Sequence, residues 1–98
     1  MVGNWLGSPD CTIVIYKDDG KNVEGNCDVG EYRHKISGMY TNDNHIDMTI
    51  TRTDPTNCST SVGGSIQIVG PNRVNLSQYG WNGCQVKTAP VSQLLERS

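Results

Sequence analysis

Phenylalanine is missing from this 98-residue chain, and two Trp and four Tyr are its only aromatic residues. Hydrophobic residues make up 35% of the whole, so the interior they can build is lean. Burial contributes about 25 cal/mol per Å², against an ordering cost of roughly 1–2 kcal/mol per residue. One domain of this length lies near the lower end of what a core alone stabilises. Covalent support is therefore expected. Long apolar runs are lacking too, which excludes a membrane-spanning helix and leaves no membrane partner to expect. A net charge of −2 offers no basic surplus for nucleic acid.

Metal-binding spacing is also absent. There is no Cys-x-x-Cys, and His34 and His45 stand far from every cysteine, which removes a zinc site. Asp18-Asp19 and Asp43 with Asp47 lack the regular oxygen-ligand loop of a calcium site. No metal or cofactor is expected. No leader segment is visible, and Met1 is read as standing where one was removed.

What is present is four cysteines, Cys11, Cys27, Cys58 and Cys84, in a chain with 11 Gly. Two disulfides, at roughly 2–4 kcal/mol each, supply the missing stability. Oxidised cysteines imply a secreted, extracellular setting.

Alternation of apolar and polar residues, not helical periodicity, runs through the sequence. It predicts an all-β fold of six antiparallel strands: Cys11–Lys17, Lys21–Cys27, Tyr32–Tyr40, His45–Thr53, Thr60–Val69 and Arg73–Tyr79. Short turns such as Asp18-Asp19-Gly20 and Gly70-Pro71-Asn72 join them as hairpins. Residues 1–88 form the disulfide-bonded domain, and 89–98 read as a disordered or vector-derived tail.

Parity assigns the faces. Centring the first hairpin on Asp19 pairs Ile13 with Gly25 and Ile15 with Val23, and sets Cys11 opposite Cys27. Centring the last on Pro71 pairs Ile68 with Val74 and Ile66 with Leu76, and sets Cys58 opposite Cys84. In the middle hairpin Ile36, Gly38 and Tyr40 face inward with Ile46, Met48 and Ile50. All four cysteines then share the core face. Adjacent pairing (Cys11–Cys27, Cys58–Cys84) and crossed pairing (Cys11–Cys58, Cys27–Cys84) both satisfy this parity. A β-sandwich of two three-stranded sheets and a small barrel both fit six strands with one apolar face each.

Pro9-Asp10-Cys11, Glu24-Gly25-Asn26-Cys27, Asp28-Val29-Gly30-Glu31, Asn57-Cys58 and a hairpin closing at Cys84 resemble the ToxB-like (MAX) effectors of plant-pathogenic fungi. That resemblance covers roughly residues 9 to 84. It implies two orthogonally packed three-stranded sheets, crossed disulfides, no enzymatic activity, and virulence through binding of a host protein. Gly3-Asn4-Trp5-Leu6-Gly7 and Ile36-Ser37-Gly38-Met39-Tyr40 also look like parts of a lipocalin- or avidin-type barrel, although the chain looks short for eight strands. This second resemblance implies a calycin-like lectin or protease inhibitor.

Tyr32-Arg33-His34-Lys35 resembles a Tyr-x-His-Lys motif of guanyl-specific fungal ribonucleases, but general acid–base cleavage needs a second group at the same phosphate. His45 lies about seven residues along the ladder from His34, roughly 23 Å. His34 instead caps the core beside Arg52, and no catalytic residues are assigned. Trp81, between Gly80 and Asn82-Gly83, is poorly covered by its neighbours. It is read as a binding anchor with Tyr79 and Asn82, or as a cap on the barrel end. Tyr16, Arg33 and Lys35 add mixed apolar and basic groups on the outward sheet face. Asn57-Cys58-Ser59 and Asn75-Leu76-Ser77 are formal glycosylation sequons. The expected function is a secreted, non-enzymatic domain, a monomer or weak dimer, that binds a target protein, with a glycan as the other candidate partner.

Overall fold

The computed structural model describes residues 1–6, 12–82 and 84–97, without the side chains of 82 and 86–89. Eight strands follow one another: β1 (Gly3–Leu6), β2 (Ile13–Asp18), β3 (Asn22–Val29), β4 (Tyr32–Asn42), β5 (His45–Thr53), β6 (Ser59–Gly70), β7 (Arg73–Asn82) and β8 (Gln85–Arg97). Each pairs antiparallel with the next, and β8 returns to β1, so the meander closes as a barrel. Closure removes the two free edges that an open sheet would leave.

Side-chain oxygens fix the turns. Asp19 Oδ1 accepts the Lys21 N–H (2.9 Å) and the Asn22 N–H (2.6 Å), while Asp18 Oδ1 accepts that of Gly20 (2.9 Å). Gly20 takes φ 84° there, a region that suits glycine. Asn42 Oδ1 accepts the Asn44 N–H at 2.8 Å. These are Asx-type turns, in which the side chain replaces a missing backbone partner.

Six strands were expected and eight are found. The two extra ones form the seam. β1 has four residues and buries one side chain, Trp5, too short a run to show alternation. β8 holds Pro90 and many polar residues, yet it pairs with β7 from Asn82↔Gln85 to Arg73↔Glu96 and buries Leu95. The stretch expected to be a tail from residue 89 is therefore strand up to Arg97.

In the middle hairpin the residues expected to share the inward face are partners: Ile36↔Ile50, Gly38↔Met48 and Tyr40↔Ile46. In the last hairpin the expected pairs Ile66↔Leu76 and Ile68↔Val74 are found. The first hairpin differs. Ile15 pairs with Gly25, and a bulge between Ile15 and Lys17 accommodates an extra residue. The shift is two residues, so parity survives and Ile13, Ile15, Val23 and Cys27 still face the core. Continued by one residue, this register sets Ile13 across from Cys27, the place assigned above to Cys11.

Cys58 is bonded to Cys84 with 6.2 Å between their Cα atoms. That pairing rules out the crossed arrangement. The described residues hold this one complete bridge where two were expected; Cys11, with Pro9 and Asp10, lies outside them. None of the described cysteines is a free thiol. A closed barrel also replaces the two packed sheets that the effector resemblance implied.

The core runs along the barrel axis and contains no buried polar residue among those described. Its central void measures about 10 Å³, between Trp5, Ile15, Met48, Leu76 and Leu95 among others. One water needs roughly 10–15 Å³. Among these described residues the barrel is filled.

Candidate binding site at the disulfide-braced end

Strands β4 and β5 bring His34 and Arg52 face to face, as register partners, near one mouth of the barrel. The β7–β8 register shifts between Tyr79 and Trp81, and Trp81 packs half-buried against the core. Its Nε1–H donates to the Thr60 carbonyl at 3.0 Å. The His34 ring meets it edge-on, 5.2 Å between centroids. Arg52 places its guanidinium carbon 4.8 Å from the Tyr32 ring centroid and 5.4 Å from that of Trp81. Such cation–π contacts contribute about 0.5–1 kcal/mol each when exposed and more when desolvated.

These side chains close the end of the barrel. His34 Nδ1 lies 2.8 Å from the Cys27 carbonyl; a carbonyl only accepts, so Nδ1 carries the proton. Thr60 Oγ1 donates to the Cys84 carbonyl at 2.8 Å, which ties the plug to the disulfide. Of the two roles read for Trp81, the geometry gives it the cap.

An open groove of about 470 Å³ lies at the same end. Its walls are the β3–β4 turn, with Gly30 and Glu31, and the β5–β6 turn, with Asp54, Pro55 and Asn57; Arg33 and Thr53 complete it. Asp54 Oδ1 accepts the Thr56 hydroxyl (2.6 Å), the Thr56 N–H (2.9 Å) and the Cys58 N–H (3.0 Å). The Thr56 hydroxyl, then the Cys58 N–H, hold the Asp54 carboxyl below its ordinary range, so it is an anion at neutral pH. Asn57 takes φ 65°, a left-handed position that Asn tolerates well. The groove thus presents two carboxylates, one guanidinium, an amide and a hydroxyl on turns pinned by hydrogen bonds and a disulfide.

The residues singled out in the sequence are dispersed. Arg33 lines the groove, and Trp81 belongs to the plug beside it. Lys35 follows Arg33 on the outer face of β4, across from Asn26 and Thr51. Tyr16 sits in the β2 bulge, 53% exposed, and Tyr79 lies on β7 opposite Pro90, 42% exposed. Neither tyrosine lines the groove. Asn82 ends β7, and its side chain, like Gly83, lies outside what the structure describes. His34 and His45 stand at opposite ends of the β4–β5 ladder, where the register reading placed them.

The sequence reading missed Glu31, Thr53, Asp54 and Asn57. The signal was available, because in a meander every second turn falls at the same end, and the β3–β4 and β5–β6 turns both do. No family model, no curated protein and no solved structure matches this chain.

Proposed function

We propose that this is a secreted, non-enzymatic binding domain that recognises a target protein with the disulfide-braced end of its barrel. One observation carries the reading: among the described residues the core leaves about 10 Å³ free, whereas the 470 Å³ groove is outside, between two turns. A barrel that held a small ligand in its lumen would need several hundred Å³ there, roughly 300–1,000 Å³ for a typical site. Contact must therefore be made from the surface.

The groove suits that task because it is built before the partner arrives. Asp54 fixes its own turn through three accepted bonds, and the bridge to Cys84 anchors the residue that follows. Preorganised contacts lower the ordering cost of association. Tyr32, 39% exposed, adds an aromatic surface beside Arg52. A disulfide is compatible with an extracellular site of action. In this reading the protein is an effector-like or inhibitor-like binder, and a protease panel separates the two.

The test is capture from extracellular fluid with the wild-type domain, the Glu31→Ala/Arg33→Ala double variant and a Lys17→Ala control. A partner bound by the wild type and the control but lost to the double variant supports the groove. A partner retained by all three, or no partner at micromolar bait, overturns it.

A further inference from the structure

Two buried side-chain polar atoms of the described residues lack a hydrogen-bond partner, Gln93 Oε1 and Arg97 Nε. For Arg97 the cause is its place at the seam. The guanidinium carbon lies 4.8 Å from the Trp5 ring centroid. The stem runs beside Gly3, where a Cβ would come within 3.3 Å of Arg97 Cδ. A ring face attracts a cation but offers no lone pair to its N–H groups. None of the ion pairs among the described residues includes Arg97 either. A buried donor without an acceptor calls for a partner from outside the protein's own side chains.

Arg97 also lines an open groove of about 320 Å³, whose other wall is the β6–β7 turn from Val69 to Arg73. In the meander this turn falls at the barrel end opposite the disulfide bridge. Two guanidiniums and one carboxylate line the groove. Arg73 and Glu96 are register partners bonded at 3.0 Å, so they compensate each other and leave the charge of Arg97 over. The Arg97 N–H donates to the Asn72 carbonyl at 2.9 Å, which fixes the charged residue against the turn. Val69, 51% exposed, and Pro71 give the groove an apolar side.

We infer that this second groove binds a small organic monocarboxylate. Its two oxygens accept from the terminal amino groups of Arg97, a bidentate match that a guanidinium offers and an ammonium does not. Its hydrocarbon part rests on Val69 and Pro71. One uncompensated positive charge suits a monoanion better than a phosphate. The volume lies at the lower end of roughly 300–1,000 Å³ for ligand pockets, which sets the size. Because the groove shares no residue with the one at the disulfide-braced end, the inference is independent of the reading given to that end.

The experiment is titration of the isotopically labelled protein with butyrate, butyramide and inorganic phosphate at constant ionic strength, followed by amide and arginine Nε–H chemical shifts. Butyrate is expected to shift the Arg97 Nε–H, whose burial slows its exchange, and the amides of residues 69–73 and 96–97. Butyramide, which keeps the hydrocarbon and loses the charge, should shift neither. Arg97→Lys keeps a cation over Trp5 without the planar fork and should weaken butyrate at least tenfold. Glu96→Gln, an exposed change that frees the Arg73 guanidinium, should tighten it severalfold and keeps the inference testable if Arg97→Lys does not fold. Lys35→Ala, which removes a cation elsewhere on the barrel, should leave affinity unchanged. No shift at tens of millimolar butyrate overturns the inference. So do an equal response to butyramide, tighter binding of phosphate, undiminished affinity in a folded Arg97→Lys, or no gain in Glu96→Gln.

Discussion

Arg97 lies over the ring of Trp5, its guanidinium carbon 4.8 Å from the ring centroid, and the two residues are register partners across the seam that closes the barrel. Among the described residues, one other pair, Leu6↔Glu96, joins β1 to β8. Closure thus rests on the burial of Trp5, 1% exposed, and the cation above it.

Trp5→Ala is expected to cost about 3–5 kcal/mol, the range for removing a large buried aromatic side chain. Arg97→Ala should cost less, about 1 kcal/mol, since its contact is partly solvated. Urea denaturation followed by circular dichroism measures both. Truncation after Thr88 is the sharper test. It removes Leu95 and most of the β7 pairing, so it should leave no cooperative transition. A stable truncated protein would show that residues 89–97 are dispensable.

The two glycines of β6 should respond in opposite directions. Gly63→Ala adds a methyl group to open space and removes backbone freedom from the unfolded chain, so stability should rise by about 0.5–1 kcal/mol. Gly64→Ala drives a methyl into the Ser77 carbonyl and should cost about 1–3 kcal/mol. Thermal melts of the pair decide the matter, and equal effects would contradict the packing.

At the barrel end opposite the groove, the Tyr40 hydroxyl donates to Asp18 Oδ2 at 2.6 Å, and the Met1 ammonium lies 2.9 Å from the same oxygen. Burial, then the bond to the Asp18 carboxylate, pushes the Tyr40 phenol up from 10.0 to about 12. Burial alone would raise Asp18 as well, but bonds from Tyr40, the ammonium and the Gly20 N–H outweigh it and hold the carboxyl below 3.8. The folded state therefore binds the phenolic proton more tightly than the unfolded state does. Stability from Tyr40 is intact below pH 10 and falls between pH 10 and 12. For Asp18 the sign reverses: its contribution is present above pH 3.8 and declines as pH drops through the lower folded value. Ultraviolet absorbance should show a phenolate forming near pH 12 that Tyr40→Phe lacks. The loss of stability from pH 10 to 12 should shrink in that variant.

Strands whose apolar residues alternate without interruption were legible in the sequence, register included in the last hairpin, as Ile66↔Leu76 and Ile68↔Val74 show. Bulges were not. Tyr16 is outward whether or not the chain kinks beside it, so nothing in residue type marked the two-residue displacement of the first hairpin. The seam stayed hidden because its energy is concentrated in Trp5, Leu95 and Arg97 and not spread over an alternating run. Glycine next to Trp81 suggested an exposed ring, but the indole packs onto the core and donates to the Thr60 carbonyl. The groove was hard to see for another reason. Asp54 and Asn57 are ordinary turn residues by type, and they become neighbours of Glu31 and Arg33 only once two turns are stacked at one end of a meander.

The Cys58–Cys84 bridge closes a loop of 26 residues in sequence separation, which by chain entropy is worth about 3–4 kcal/mol. Its position gives it a second consequence. Cys58 donates its N–H to Asp54 on the groove wall, and Cys84 accepts the Thr60 hydroxyl whose own carbonyl holds the Trp81 indole. Cys58→Ser/Cys84→Ser should therefore loosen the plug and the groove together while β4 and β5 keep their ladder. Trp81 fluorescence should shift to the red, against the fixed background of buried Trp5, and partner binding at the groove should weaken at least tenfold. Red-shifted emission with unimpaired partner capture would separate the plug from the groove and place the contact surface elsewhere on the barrel.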